Sequence, residues 1–300
     1  MMQPDPPATA AAWPHRTFHE REGIAIAATV MQASQLLCRR LRTNRASLIF
    51  VDSGSKTLGS GREPSEPTTI RAGEAVALAG LHDFDITNKP GAEQPYQARS
   101  LIIAPELLSA DIKGATNVTT LTRVPQPPAG LREAFERAMA AIEAGDALPA
   151  RIAASRVREV LLWLAEAGYA FAQPHPPGLV DRVRDLLAAA PARPWRSEEI
   201  ATRLGVSEAT LRRKLAASGT AFSELLADIR MSTALFLLQS TDRPVTVIAG
   251  DVGYDSPSRF AARFRARFDF SPSDIRGQRR SIERIGTEND RLRAAVPAAE

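Results

Sequence analysis

The sequence has little of what secreted and membrane proteins depend on. Cys38 is its single cysteine, so no disulfide can form within the chain, and a reducing compartment is expected. No apolar run approaches the roughly 20 residues that a helix needs to cross a bilayer. The first residues lack both the basic start and the apolar core of a signal peptide. We therefore expect a cytoplasmic protein with no membrane partner.

Residues that carry metal or phosphate chemistry are also scarce. The four histidines stand apart at positions 15, 19, 82 and 175, without partners at metal-ligand spacing. The chain has no phosphate-binding loop, dinucleotide fingerprint or G-x-S-x-G motif, and Gly59-Ser60-Gly61 is interpreted as an exposed loop. We predict a protein that is not an enzyme, with no catalytic residue, metal or cofactor.

Length and charge indicate two domains with different partners. A chain of 300 residues exceeds the usual domain size of about 100–150 residues. Residues 1–180 carry equal numbers of acidic and basic side chains, whereas residues 181–280 carry 17 Lys and Arg against 12 Asp and Glu, a net charge of +5. A concentration of positive charge in one domain favours a phosphate-rich partner.

One short pattern occurs twice in the last third of the sequence. The first copy, IATRLGVS, begins at Ile200 and ends at Ser207, and the second, IAGDVGYDS, begins at Ile248 and ends at Ser256. The offset is 48 residues between the isoleucines and 49 between the serines, so the second copy has one extra residue in its turn. Such self-similarity indicates two copies of one structural unit.

Each copy predicts a helix-turn-helix. A glycine, Gly205 or Gly253, can end the first helix with a positive φ because it has no Cβ. A serine, Ser207 or Ser256, then caps the second helix by accepting a hydrogen bond from an unpaired backbone N–H. The second helix of a helix-turn-helix lies in the major groove of DNA.

The segment between the copies predicts a long helix from Phe222 to Gln239, with apolar residues at helical spacing. Such a helix spans about 27 Å at about 1.5 Å per residue. It can therefore hold two recognition helices in successive major grooves, about 34 Å apart. A final short helix is expected to start at Ser271.

These features closely resemble the DNA-binding domain of the AraC/XylS family of bacterial transcription regulators, over residues 179–280. Ala262 stands where many members have Arg, and Asp269 where many have Gly, a change that Asp tolerates because it can adopt the left-handed conformation. The resemblance is carried by Ile200-Ala201, Leu204-Gly205, Ser207, Leu211, Gly219, Phe222, Arg230, Ala234, Leu237-Leu238, Ile248-Ala249, Gly253-Tyr254, Ser256, Ser258, Phe260, Phe264, Ser271-Pro272 and Arg276.

The resemblance implies a function and partners. Double-stranded promoter DNA is the expected partner, with activation through contact with RNA polymerase, although family members also repress. The family's N-terminal domain is commonly a cupin-like β-barrel. The resemblance also implies control by a small-molecule effector of unknown identity, and a homodimer.

Arginine forks onto O6 and N7 of guanine, and Arg212 and Arg213 occupy positions where family members contact bases. Lys214 is expected to contact phosphate instead. A solvated basic face is the alternative for Arg212 and Arg213. The candidate DNA-contacting residues of the first unit are Ser207, Ala209, Thr210, Arg212, Arg213 and Lys214.

In the second unit, Arg259 is the candidate for base contact, and Arg263 and Arg265 are candidates for phosphate contact. Ala262 can offer only its methyl group, for example to thymine. We expect this unit to be the less sequence-specific of the two. Its candidate residues are Ser256, Ser258, Arg259, Ala262, Arg263 and Arg265.

The N-terminal half predicts a small antiparallel β domain followed by helices. Residues 1–15 are rich in Pro and Ala and are predicted to be disordered. Short apolar segments separated by Gly, Pro and Asn predict a barrel or sandwich over about residues 16–124. The predicted strands are Ser47–Val51, Thr68–Ile70, Ala75–Leu78, Phe84–Thr87 and Tyr96–Ile103.

Two amphipathic helices are predicted at residues 131–144 and 151–171, and together with the β part they make up a sensor and dimerisation domain, 16–172. Residues 173–178 form a Pro-rich linker, and residues 281–300 a polar tail. The apolar surface of the helices exceeds what one small β domain needs, so we expect them to form the dimer interface.

The fold class is therefore α+β, with a cupin-like domain and helical hairpin before an all-α domain of two helix-turn-helix units. The favoured function is that of a sequence-specific transcription regulator. The alternative is a catalytic or metal-binding cupin tethered to a DNA-binding domain. A third possibility, an N-terminal domain that acts only through a protein partner, is left open by the sequence.

Overall fold

The computed structural model describes residues 16–43, 45–60, 66–108, 114–172, 178–241 and 243–275. The predicted disordered segment 1–15, the polar tail 281–300 and residues 173–177 of the linker lie outside the described residues. So do Gly61 and Arg276.

Two facing sheets form the N-terminal domain. One sheet has six strands in the order β1-β2-β9-β4-β7-β11, and the other has four in the order β3-β8-β5-β6. The strands are β1 (Arg16–Arg21), β2 (Ala25–Gln32), β3 (Leu36–Thr43), β4 (Ser47–Ser53), β5 (Ser55–Ser60), β6 (Thr68–Arg71), β7 (Ala75–Leu78), β8 (His82–Lys89), β9 (Tyr96–Ile103), β10 (Thr116–Val118), β11 (Leu121–Val124) and β12 (Tyr169–Phe171).

Successive side chains along a strand point to opposite faces of its sheet, so one strand can contribute to two cores. On β4, Leu48 and Phe50 lie in the core outside the six-stranded sheet, whereas Ile49 and Val51 lie in the core between the two sheets. All pairings within these two sheets are antiparallel. The antiparallel β domain and all five predicted strands are therefore confirmed, with ends that extend up to two residues beyond the predicted ones. The interpretation of Gly59 and Ser60 as a loop is wrong, because both lie in β5 and pair with β8.

A helical hairpin, α1 (Ala129–Glu143) and α2 (Ala150–Glu166), covers the outer face of the six-stranded sheet. Phe135 of α1 packs on Phe50 of β4, with ring centroids 4.6 Å apart. The prediction that the second helix continues to Phe171 is wrong. Gly168 turns the chain with φ +92°, and Tyr169–Phe171 form β12, which pairs in parallel with β10.

The C-terminal domain is all-α, as predicted. It consists of α3 (Leu179–Ala189), α4 (Ser197–Arg203), α5 (Glu208–Ala217), α6 (Phe222–Ser240), α7 (Val245–Asp251) and α8 (Pro257–Phe268), and the described residues end in a helical turn at 272–275. None of the described helices is long and apolar enough to span a membrane.

The long helix α6 belongs to two cores. Its first half contributes Leu225, Leu226 and Ile229 to the core of α3–α5. Its second half contributes Met231 and Leu235, among others, to the core of α7 and α8. The predicted single apolar stripe is therefore two stripes, one for each helix-turn-helix unit.

The second helix-turn-helix unit also contacts the β domain. Apolar contacts run without a break from the space between the two sheets into the core of α7 and α8. A second contact joins the β domain to this unit: Phe18 of β1 packs edge to face on Phe236 of α6, with ring centroids 4.6 Å apart. The β domain therefore packs against the unit formed by the second half of α6 with α7 and α8.

Candidate nucleic-acid interface

In the first unit the turn follows the predicted chemistry. Gly205 has φ +67°, and the backbone N–H of Val206 donates to the carbonyl of Ala201 at 3.0 Å, closing the end of α4. Ser207 Oγ accepts a hydrogen bond from the backbone N–H of Thr210 at 3.2 Å and so caps α5. The helix-turn-helix geometry of this copy is confirmed.

The second unit repeats this geometry. Gly253 has φ +80°, and the N–H of Tyr254 donates to the carbonyl of Ala249 at 2.9 Å, as in the first unit. Ser256 Oγ caps α8 by accepting from the N–H of Arg259 at 3.3 Å. Asp255 is the extra residue predicted for this turn. The two turns therefore have the same geometry, and α5 and α8 are the second helices of their units.

The buried faces of α5 and α8 leave the opposite faces for a partner. Leu211 and Leu215 of α5 are each 1% exposed, and Phe260 and Phe264 of α8 are fully buried, as the sequence predicts. Phe268 adds a third buried ring to α8, one turn further along.

The predicted contact residues of α5 lie on its exposed side. Arg212, Arg213 and Lys214 are exposed, and none of them forms an ion pair with another described residue. Ala209 is also exposed, whereas Thr210 is half-buried and its hydroxyl accepts from Ser207 Oγ at 2.9 Å. Three cations therefore project from one helix without local neutralisation.

On α8 the predicted residues are more varied. Ser258, Arg259 and Ala262 are exposed along one side, and Ser256 is half-buried by its cap role. Arg263, also exposed, lies close enough to Tyr254 to oppose the rise that burial causes in the pKa of that phenol. Arg259 is exposed on this side and stays the predicted base contact of the helix.

Arg265 is placed near an acidic group. The hydrogen bond from the backbone N–H of Ser271 is the main cause that lowers the pKa of Asp274, and the charge of Arg265 contributes to the shift. The structure therefore brings the Arg265 guanidinium near a carboxylate as well as to the protein surface.

Sequence reasoning missed a group of side chains around Trp195. The indole N–H donates to the carbonyl of Ala190 at 2.9 Å, and the guanidinium groups of Arg193 and Arg203 lie 4.5 and 5.0 Å from the ring centre. Glu199 pairs with both arginines, at 2.5 and 3.0 Å. This group holds the connection between α3 and α4 in place. Its only sequence signal is that its charged members lie close together, between Arg193 and Arg203.

A second polar group lies between the sheets of the N-terminal domain. Lys56 Nζ donates to Asn88 Oδ1 at 2.9 Å and lies 5.6 Å from the ring centre of Tyr96. Gln32 is paired with Tyr96 across neighbouring strands. All four residues are at most 7% exposed, and among the described residues neither the Tyr96 hydroxyl nor Gln32 Oε1 has a hydrogen-bond partner. Burial raises the pKa of Tyr96, so its hydroxyl keeps its proton.

A family model described as a helix-turn-helix domain matches residues 200–278, which contain both turns and both exposed helices. Residues 200–278 are therefore a helix-turn-helix domain, and the predicted resemblance to AraC-type regulators is confirmed.

Relatives in sequence agree with this assignment. The chain is 35% identical over 92 residues to the transcriptional regulator SirC of Salmonella typhimurium, covering 31% of each chain. It is 32% identical over 98 residues to the urease operon transcriptional activator of Escherichia coli, covering 33% of each. The matches thus span about a third of the length of these relatives.

The fold is similar to that of ToxT from Vibrio cholerae over most of the chain. A single-substitution variant of apo ToxT matches with a TM-score of 0.64 and 15% identity, over 86% of this chain and 99% of that chain. Wild-type ToxT with an unsaturated fatty acid bound matches with a TM-score of 0.56 and the same identity, over 86% and 94%. At this identity the likeness shows a shared architecture.

Proposed function

We propose that this protein is a transcription regulator that binds promoter DNA through both helix-turn-helix units. The observation that carries the proposal is the repeated turn geometry, which presents α5 and α8 with exposed basic residues on the side away from their cores. Arg212 and Arg213 on α5, and Arg259 on α8, are the residues proposed to contact bases. Exposed cations that form no ion pair within the described part of the chain suit a phosphate-bearing partner.

The test is selection of bound sequences from random duplex DNA by the full chain, followed by titration at several salt concentrations. We expect one enriched sequence and an affinity that falls steeply with salt, because phosphate contacts release counterions. The double variant Arg212→Ala/Arg259→Ala should lose the preference for that sequence. Arg71→Ala/Lys89→Ala, which removes the same charge from exposed positions on β6 and β8, is the control and should keep the preference. Equal losses in both variants would show that only net charge matters.

We further propose that the N-terminal domain controls DNA binding in response to an effector. The polar group of Gln32, Lys56, Asn88 and Tyr96 supports this, because Gln32 Oε1 and the Tyr96 hydroxyl have no hydrogen-bond partner among the described residues, whereas buried polar atoms normally have one. A buried ammonium and a phenol that keeps its proton suit an acidic head group, and the apolar residues around them, such as Leu58 and Ile86, suit an apolar body. ToxT, which shares this architecture, binds an unsaturated fatty acid.

An unsaturated fatty acid, oleate, is therefore the first probe of this site. We expect oleate to raise the melting temperature of the full chain and to change its DNA affinity, and Lys56→Met to abolish both effects. Leu162→Met on the exposed face of α2 is the control and should respond like the wild type. An unchanged response in Lys56→Met would place the fatty acid elsewhere, and no response in the wild type would contradict an acidic lipid as effector.

The proposal includes a homodimer, activation through RNA polymerase, and a cytoplasmic location, where promoter DNA is found. One relative is named as an activator, and an exposed apolar face on α2 supports the dimer. The proposal does not include the alternative of a catalytic or metal-binding cupin. Within the described residues, no group of three or more His, Cys, Asp or Glu side chains could hold a metal ion.

A further inference from the structure

Arg230 lies in the middle of α6, between the half that packs on the first helix-turn-helix unit and the half that packs on the second. Its guanidinium donates three hydrogen bonds to backbone carbonyls. Nε donates to Pro191 at 2.9 Å and Nη2 to Arg193 at 3.1 Å, both in the α3–α4 connection of the first unit. Nη1 donates to Gly253 at 3.1 Å, in the turn of the second unit. One side chain therefore bonds to both units.

The three acceptors suit a cation. Pro191 and Arg193 follow the C-terminus of α3, and Gly253 follows that of α7. Backbone carbonyls at helix C-termini lack helical partners and carry the negative end of the helix dipole. A planar guanidinium can donate in several directions at once, which a lysine ammonium at one point cannot reproduce. Arg230 also lies 5.8 Å from the ring centre of Tyr254, on the second unit.

The glycine of the second turn has a further role at this contact. A Cβ on Gly253 would lie 2.8 Å from Arg230 Nη2 and 2.9 Å from the carbonyl oxygen of Ala192. The corresponding Gly205 of the first turn also has a positive φ, but a Cβ there would meet nothing within 4 Å. Gly253 is therefore required both by its backbone conformation and by the close approach of the two units, whereas Gly205 is required by conformation alone.

We propose that Arg230 is the positioning residue that fixes the angle between the two helix-turn-helix units and, through it, the spacing of the DNA sites that the chain accepts. The DNA part of this inference rests on the proposed function. The angle itself does not, because it is a property of the protein alone.

The protein part is tested by the distance between spin labels on α5 and α8 of the full chain. Ala216→Cys and Ala266→Cys are exposed label sites outside the proposed DNA contacts, in a Cys38→Ala background that removes the only native cysteine. We expect one narrow distance distribution for the parent, and a broader or displaced one for Arg230→Gln, Arg230→Lys and Gly253→Ala. Gly205→Ala carries the same backbone strain without the clash and should keep the parent distribution.

The DNA part is tested on the selected operator and on a version with one extra base pair between the two contacted segments. We expect the parent to bind the altered operator about tenfold more weakly, a cost of about 1.4 kcal/mol. In Arg230→Gln, affinity for the native operator should fall about tenfold and the difference between the two operators should shrink to about twofold.

The outcomes separate the two claims. An unchanged distance distribution in Arg230→Gln, with helicity retained, would overturn the proposal. A changed distribution without any DNA binding by the parent would leave the positioning role intact and contradict the proposed function. If Arg230→Gln unfolds, Arg230→Lys and Gly253→Ala decide the matter, since the first keeps the charge and the second keeps the arginine. Equal weakening on both operators would mean that Arg230 serves only stability.

Discussion

At the scale of single residues, exposure separates the arginines of the C-terminal domain into two groups. Arg212, Arg213 and Arg259 are exposed and lie on the outer sides of α5 and α8. Arg230 and Arg267 are half-buried and bind the protein itself, Arg230 through three carbonyls and Arg267 through Asp228 at 2.9 Å. Charge count alone therefore overstates the positive charge that the domain offers to DNA.

Arg212→Ala tests the base contacts. We expect a loss of about 1–3 kcal/mol on the selected operator and a relaxed preference at one base pair, because the proposed bidentate contact to guanine would be removed. Lys214→Ala, proposed to remove a phosphate contact, should weaken binding uniformly and lower the salt dependence. Titration of both variants against operators mutated at single positions distinguishes the two roles. A uniform loss in Arg212→Ala would make it a phosphate contact.

Glu74 provides a test of the N-terminal domain that depends on pH. Hydrogen bonds from Arg123, at 2.5 and 2.9 Å, are the main cause that lowers the pKa of Glu74 in the folded protein. A carboxyl with a lowered pKa stabilises the fold above its unfolded pKa, which is about 4.3. That contribution is lost as the pH falls through the folded pKa. Glu74→Gln should therefore be less stable than the wild type near neutral pH.

The measurement is urea unfolding of both proteins from pH 7 down to pH 4 and below. The difference in unfolding free energy should be constant near neutrality and should shrink once the pH falls below about 4.3, where Glu74 of the unfolded chain takes up a proton. A difference that stays the same across the whole range would show that the ion pair with Arg123 does not determine it.

Local chemistry made several residues predictable. Ser207 and Ser256 are helix caps, and Asp269 ends α8 with φ +65°, the left-handed conformation that the sequence comparison anticipated for a residue in a glycine position. The role of Arg230 was not predictable, because its acceptors lie 23 to 39 residues away and are backbone carbonyls that any sequence has.

At the scale of elements, α6 is the part on which both helix-turn-helix units are built. The first core uses its residues up to Ile229 and the second core begins at Met231. An insertion between these two positions therefore changes the relation between the units and leaves each core as it is. This placement could not be chosen from the sequence, which predicts a single apolar stripe.

One alanine inserted between Arg230 and Met231 should lengthen α6 by about 1.5 Å and rotate one unit against the other by about 100°. We expect the variant to stay helical by circular dichroism and to keep weak, salt-sensitive binding to random DNA. Its affinity for the selected operator should fall to the level of random DNA, because both recognition helices can no longer enter their grooves together.

Four inserted alanines are the control, since they restore nearly a full turn but lengthen α6 by about 6 Å. This variant should recover the contacts between the two units better than it recovers operator binding. Wild-type affinity in the folded single-residue variant would mean that the two units bind DNA independently.

The strands and helices of the N-terminal domain could be predicted where turn residues mark their ends. Tyr96–Ile103 follows the turn residues Pro90 and Gly91, and prediction and structure give the same strand. The strand β5 was missed because Gly59 and Ser60 have low strand propensity, and its pairing with β8 and β6 overrides that preference. The end of α2 was missed because Tyr169 and Phe171 continue its apolar pattern after Gly168.

At the scale of the whole molecule, the hairpin of α1 and α2 has a buried and an exposed apolar side. Most of its apolar residues cover the six-stranded sheet. Less apolar surface is therefore left for a dimer interface than the sequence predicts. What is left on α2 is Ile152, Leu162 and Trp163, which are 40%, 63% and 37% exposed. An exposed apolar group of this kind is typical of interfaces.

Leu162→Glu tests whether this face forms the proposed dimer. We expect the full-length wild type to sediment as a dimer at micromolar concentration and the variant as a monomer, because a carboxylate would be buried without a partner in the interface. Val247→Glu is the control, since Val247 is 43% exposed on α7 and should not lie in this interface. A monomeric wild type, or equal effects of both variants, would contradict the proposed dimer face.

The contact between the β domain and the second helix-turn-helix unit was beyond sequence reasoning. Each domain has a predictable pattern of its own, but Phe18 and Phe236 are 218 residues apart in the chain and belong to separate patterns. This contact gives the β domain a direct path to α8, so an effector bound between the sheets is expected to act mainly on the second recognition helix.

The central claim, that one chain reads DNA with both helix-turn-helix units at a fixed spacing, is tested most directly by hydroxyl-radical footprinting of the full chain on its selected operator. The account predicts two protected segments on the same face of the duplex, about one helical turn or 10–10.5 base pairs apart. Arg212→Ala should weaken one segment and Arg259→Ala the other. A single protected segment, or two segments that both variants weaken equally, would contradict the account.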